Sequence, residues 1–167
     1  YLDFLDAREA DEIQLFYAPS YHCNFKCAYC YQEGYEYPPV DNSIKVAKAF
    51  FSFIGNRFAG KRKYITLFGG EPLLSDPGRT AFLSFFTESC KAANLDLAVV
   101  TNGFHLSSSI PVLKKAQIRE IQVTLDGPES IHNLRRPLKN GRGTFYEIVN
   151  GIDEALANQL PVNLRVV

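Results

Sequence analysis

The chain has 167 residues, 46% of them hydrophobic, which is enough to bury a core and reads as one domain spanning residues 1–167. Eighteen basic residues balance eighteen acidic ones, so no overall field favours nucleic acid or an anionic membrane. No apolar segment reaches about 20 residues, the length that spans a bilayer, and the acidic stretch from Tyr1 to Glu12 lacks the basic start and apolar run of a signal peptide.

Ile13 to Tyr17 is rich in β-formers and predicts the first strand. It leads into Cys23, Cys27 and Cys30, spaced C-x3-C-x2-C on one short loop. Gly34 and Pro38-Pro39 mark irregular backbone, and Asp41-Asn42-Ser43 offers N-caps to a helix of about 15 residues. Ile44, Ala47, Phe51, Ile54 and Phe58 recur on one face of that helix. Tyr64 to Phe68 predicts strand two, ended by Gly69-Gly70-Glu71-Pro72. A helix from about Arg79 to Ala93 follows, with Phe82, Phe86 and Cys90 on its apolar side, so Cys90 reads as core.

Leu97 to Val100 predicts strand three, closed by Thr101-Asn102-Gly103, and a short helix runs from Ser107 to about Gln117. Ile121 to Leu125 predicts strand four, closed by Asp126-Gly127-Pro128. The polar stretch beyond reads as a loop, with His132 packed in it and Arg135, Lys139 and Arg142 solvated. Thr144 and Glu147 form T-x-x-E, a capping box for a helix to about Asn158, and Pro161 to Val167 predicts strand five.

Strands alternating with helices at this pitch imply a parallel sheet with right-handed crossovers. Strand one is not followed by G-x-G-x-x-G opening a helix, which argues against a dinucleotide-binding sheet. Every unusual motif falls at the carboxyl end of a strand, where barrel-like α/β folds place their active sites.

Three thiolates on one short loop can converge on a metal centre, while Cys90 sits sixty residues further on. A structural zinc site needs four protein ligands, and a site completed by Cys90 stays open as an alternative. An iron–sulfur cube held by three thiolates leaves one iron free to bind a ligand. Clustered thiols without a secretory signal suit a reducing, cytoplasmic setting. The glycines before Glu71 let backbone approach a ligand closely, and a glutamate can accept a charge-assisted bond from an ammonium.

Taken together, C-x3-C-x2-C with Tyr29 before its last cysteine, Gly69-Gly70-Glu71-Pro72, and Thr101-Asn102-Gly103 resemble the radical S-adenosylmethionine (SAM) superfamily. Thr124-Leu125-Asp126-Gly127-Pro128, followed by His132, Arg136-Pro137 and Gly143-Thr144-Phe145, resembles its SPASM-like subgroup. That subgroup includes anaerobic sulfatase-maturing enzymes and thioether-forming peptide maturases. The resemblance covers about residues 13 to 167. It implies an α/β fold, a partial (βα)6-type TIM-like barrel ended after about the fifth strand.

By the same resemblance, Cys23, Cys27 and Cys30 hold a [4Fe-4S] cluster whose open iron chelates SAM. Tyr29 and Gly69 to Pro72 contact SAM, with Glu71 on its amino group, and Thr101 and Asn102 sit at the pocket rim. Thr124, where the family has serine, and Arg136 would hold the SAM carboxylate, and Asp126 would shape the ribose side. Arg135 competes with Arg136, since a shift of one residue would exchange them. The implied reaction is reductive cleavage of SAM to a 5′-deoxyadenosyl radical, which takes hydrogen from a peptide or protein side chain. Its partners would be that substrate and a low-potential electron donor such as flavodoxin or ferredoxin. A radical SAM enzyme acting on RNA or a small molecule, and a non-catalytic zinc or iron–sulfur module, are the alternatives. Cysteines for auxiliary clusters would lie beyond residue 167 or be lacking.

Overall fold

A computed structural model describes residues 12–32 and 44–167. The features expected at Gly34, Pro38-Pro39 and Asp41-Asn42-Ser43, and the acidic stretch up to residue 11, lie outside the described residues. The elements are β1 (Ile13–Tyr17), α1 (Ile44–Arg57), β2 (Lys63–Leu67), α2 (Pro77–Ala92) and β3 (Leu97–Thr101), followed by α3 (Leu106–Leu113), β4 (Ile118–Thr124), α4 (Glu129–Arg135), α5 (Phe145–Ala157) and β5 (Val162–Arg165).

All five strands pair in parallel in one open sheet, in the order β1-β2-β3-β4-β5. Spatial order equals chain order, so the sheet has no point where the winding reverses, unlike a doubly wound fold. This is the winding of a partial TIM-like barrel, as the sequence led us to expect.

Alternation along the strands separates two faces. Ile65, Leu67, Leu97, Val99, Ile121 and Val123 are completely buried toward the helices. Tyr17 extends that core, with its ring 4.8 Å from Phe50 and 5.0 Å from Phe86. The alternate positions mix polar and apolar side chains, and on this side Gln14 Nε2 donates to Thr66 Oγ1 at 2.9 Å. Cys90 is fully buried in the core, as its helical spacing predicted. On α1 the predicted apolar face buries Ala47 and Ile54, whereas Ile44 at the first turn is left 38% exposed.

The structure corrects the reading of the stretch after β4. Its polar residues form α4, a helix of seven residues, too short to show a helical period in sequence. The Pro128 carbonyl accepts from the Ile131 and His132 amides and starts the turn. The T-x-x-E capping box before α5 does not form. Asn133 of α4 replaces it, its Oδ1 accepting from the Thr144 and Phe145 amides at 2.8 and 3.0 Å. A Cβ at Gly143 would come within 2.6 Å of the Asn133 amide, so only glycine admits this cap. Glu147, freed from capping, pairs with Arg142 at 2.6 Å. Among the described residues no helix is long and apolar enough to cross a membrane.

Candidate cluster and cofactor site

The cysteine loop leaves β1 and is clamped from two sides. On one side the Gly70 amide donates to Ser20 O at 2.9 Å and the Glu71 amide to His22 O at 2.8 Å. On the other, the Lys26 and Ala28 amides donate to the carbonyls of Pro137 and Arg135, each at 2.9 Å. Phe25 bridges to Leu138 and is buried. A Cβ at Gly69 would stand 2.5 Å from Ser20 O, and one at Gly70 would overlap the Tyr21–His22 backbone. The glycine pair is therefore needed for the close approach of the cysteine loop itself.

All three loop cysteines are free thiols. Burial pushes the Cys23 thiol up, partly offset by the Phe25 amide 3.4 Å from its sulfur. Burial pushes Cys27 up to about 11, with Arg136 pulling the other way. Among the described residues no three His, Cys, Asp or Glu side chains are grouped to hold a single metal ion. A cube asks for less convergence, because each thiolate binds a separate iron.

Glu71 lies 1% exposed behind the loop, between the ends of β2 and β3. Its Oε1 accepts from Thr101 Oγ1 at 2.7 Å and the Leu73 amide at 2.9 Å, and Oε2 from the Asn102 amide at 2.6 Å. Burial pushes its carboxyl up against the pull of those donors and Arg136. A carboxylate has about four acceptor positions, so one remains for an ammonium. Asn102 reaches the loop, its Nδ2 2.8 Å from Asn24 Oδ1 and 3.7 Å from Cys23 Sγ.

The end of β4 is tied to the loop through Tyr29. Arg136 Nη1 donates to the Tyr29 hydroxyl at 2.6 Å, and that hydroxyl donates to Asp126 Oδ2 at 2.6 Å. Arg135, read from sequence as solvated, instead binds Asp126 Oδ2 at 3.1 Å and the Val167 carbonyl at 2.8 Å. Its guanidinium also stands 4.9 Å from the centre of the Tyr29 ring. Burial alone would raise the Asp126 carboxyl, but Tyr29, the Val167 amide and both arginines hold it below the usual range. Arg142 is likewise not free, and its guanidinium lies 5.7 Å from the Phe104 ring.

His132 is completely buried. Its Nδ1 accepts from the Asp126 amide at 3.1 Å, so the ring proton sits on Nε2, facing Thr144 Oγ1 at 3.1 Å. The Thr144 hydroxyl then donates to the Arg136 carbonyl at 2.8 Å. This chain of bonds sets the backbone that carries Arg136.

These pieces line a half-open cavity of about 350 Å³. Cys23, Cys27, Cys30, Tyr29, Gly69, Gly70, Thr101, Asn102, Thr124 and Arg136 line it. Glu71, Pro72 and Asp126 are not part of that lining, though Glu71 and Asp126 are bonded to residues within it. Of the two competing arginines, Arg136 lines the cavity and Arg135 does not. Sequence reading missed Phe25, Tyr31, Val100 and Arg165, which also line it. Alternation along β5 could have signalled Arg165, since it occupies the face that pairs with Thr124. Three soft thiols on one cavity suit an iron–sulfur cluster. Among the described residues Arg136 Nε is buried without a partner, which leaves a donor for an anionic ligand.

Residues 17–167 match the family model described as Radical SAM superfamily. A GTP 3',8-cyclase of Campylobacter jejuni subsp. doylei is 32% identical over 148 residues, covering 87% of this chain and 43% of the relative. That of Haemophilus influenzae is 34% identical over 152 residues, covering 84% of this chain and 41% of the relative. The chain thus spans less than half the length of these curated relatives. Native anSMEcpe, an anaerobic sulfatase-maturing enzyme, solved with bound AdoMet and Cp18Cys peptide, superposes with a TM-score of 0.72 at 23% identity, covering 92% of this chain and 42% of that one. The same enzyme with bound AdoMet alone gives 0.72 at 22% identity, covering 90% and 42%. At that identity the likeness speaks for the fold. The family match supplies the rest: this chain belongs to the radical SAM superfamily, whose members use a [4Fe-4S] cluster and SAM.

Proposed function

We propose that residues 1–167 form the core domain of an enzyme that cleaves SAM reductively and modifies a peptide or protein side chain. The observation that carries this reading is the convergence of three cysteine thiols, Thr124 and Arg136 on one cavity. When bound, the cluster and SAM would supply the chemistry, reductive cleavage of the sulfonium and hydrogen-atom abstraction from the substrate.

The chain's own residues bind and orient. Cys23, Cys27 and Cys30 would hold the cluster as thiolates, their protons released to solvent as the metal binds. Arg136 offers a planar fork to the SAM carboxylate, beside the Thr124 hydroxyl, and Glu71 keeps one acceptor for the SAM ammonium. Phe25 and Tyr29 wall the cavity and exclude water. The electron comes from a low-potential donor of the flavodoxin or ferredoxin kind, and a reducing cytoplasm suits the open thiols.

The stretch Thr124 to Phe145 and the peptide bound to the structural neighbour favour a peptide substrate. A second reading, a nucleotide substrate, is favoured by the 32–34% identity to GTP 3',8-cyclases. The test is anaerobic reconstitution of the intact protein, followed by SAM and dithionite. About four irons per chain and release of 5′-deoxyadenosine are expected. A loaded cluster that releases none would sink the proposal. Faster release with GTP, and none with cysteine- or serine-containing peptides, would move the assignment to a nucleotide.

A further inference from the structure

We infer that Arg165 binds a negatively charged oxygen group of the substrate, a carboxylate or a phosphate. The inference rests on the proposed function, and it narrows the substrate to an anion. It starts from the pairing of β4 with β5, which sets Arg165 opposite Thr124. Paired residues in a sheet share a face, and both side chains line the cavity that holds the cysteine thiols.

Charge in the cavity is uneven. Among the described residues its lining includes two guanidinium groups, Arg136 and Arg165, and no Asp or Glu. The nearby acids stand outside the lining and are already bonded, Glu71 to the Thr101 hydroxyl and two backbone amides, with one acceptor left for the SAM ammonium, and Asp126 to Tyr29, Arg135 and the Val167 amide. Arg79, Arg119, Arg135 and Arg142 each face a carboxylate. Among the described residues Arg165 has no such partner, in ion pair or hydrogen bond.

SAM does not use up this second cation. It carries one carboxylate, which the motif likeness gives to Arg136 and Thr124, and two positive groups, the sulfonium and the ammonium. Beyond the charge of the cluster thiolates, a further guanidinium facing that cofactor gains from an anion brought by another molecule. Arginine suits carboxylate and phosphate alike, because its fork meets two oxygens at once.

The test measures binding by calorimetry, on the protein with and without a reconstituted cluster. Sodium triphosphate probes the phosphate source, and a glutamate-containing peptide with its glutamine twin probes the carboxylate source. Arg165→Gln should weaken one of these probes about 10-fold or more, and Arg165→Lys should restore part of the loss. The probe that responds names the source of the anion. Equal affinity of the wild type and Arg165→Gln for both probes overturns the inference, as does saturable binding of neither probe to the wild type. A loss of SAM affinity as large as the loss of anion affinity assigns Arg165 to the cofactor and overturns it too. Wild-type release of 5′-deoxyadenosine is scored separately, so failure of the enzymatic reading and failure of the Arg165 assignment are distinct results.

Discussion

Arg136 Nη1 meets the Tyr29 hydroxyl at 2.6 Å, joining the residue that follows α4 to the middle of the cysteine loop. Tyr29 passes the contact on to Asp126, so one phenol ties the loop to the end of β4. Tyr29→Phe removes that hydroxyl and leaves two charged groups short of a partner. It should cost about 1–3 kcal/mol of stability and loosen the loop. Urea unfolding with hydrogen exchange across residues 23 to 30 measures both. A variant with unchanged midpoint and unchanged exchange would show that the phenol ties nothing.

His132 should make the fold sensitive to mild acid. Burial, with Arg136 nearby, depresses its pKa from the ordinary 6.5. The folded state therefore holds the ring neutral in a pH range where the unfolded chain binds a proton. This contribution is full above about pH 6.5 and is lost as pH falls from there toward the folded value. Denaturation midpoints between pH 7.5 and 5 should fall more steeply for the wild type than for His132→Gln. Parallel curves would place the acid sensitivity elsewhere.

Glu71→Gln tests the lock between β2 and β3. One side of the new amide is an NH₂ group, which must face either the Asn102 amide or the donors at Leu73 and Thr101. At least one buried donor loses its acceptor, at a cost of about 1–3 kcal/mol. Thermal unfolding reads the loss, and a variant as stable as the wild type would mean that the carboxylate is dispensable to the scaffold.

Two glycines should respond in opposite directions. Gly70→Ala drives a methyl into the Tyr21–His22 backbone, so it should displace the cysteine loop, destabilise by about 1–3 kcal/mol and reduce iron uptake on reconstitution. Gly55 sits in α1 with nothing within 4 Å of an added Cβ. Gly55→Ala should raise stability by about 0.5–1 kcal/mol. Full iron loading in Gly70→Ala would show that the crossing of the two backbones tolerates a side chain.

The strands and the thiol loop were legible because each is written in a few neighbouring residues, such as the apolar run Ile13 to Tyr17 or the spacing of the cysteines. What stayed hidden depends on partners far along the chain. Glu71 is bonded to Asn102, 31 residues away, and the motif around it does not reveal that it is not part of the cavity lining. Thr144 and Glu147 carry the letters of a capping box, yet Asn133 takes that role from 11 residues upstream. Arg165 reads as one charge in an apolar tail until the sheet places it opposite Thr124.

Because sheet order follows chain order, each new strand finds its partner already made, which favours folding in step with synthesis. The thiols are an exception to that schedule. Tyr29 leaves the ribosome 107 residues ahead of Arg136, and the carbonyls that anchor Lys26 and Ala28 emerge equally late. At about 5–20 residues per second the nascent loop waits roughly 5–20 s with its sulfurs uncovered. Through that interval the thiols are open to oxygen and stray metals, so iron delivery belongs after translation has passed α4.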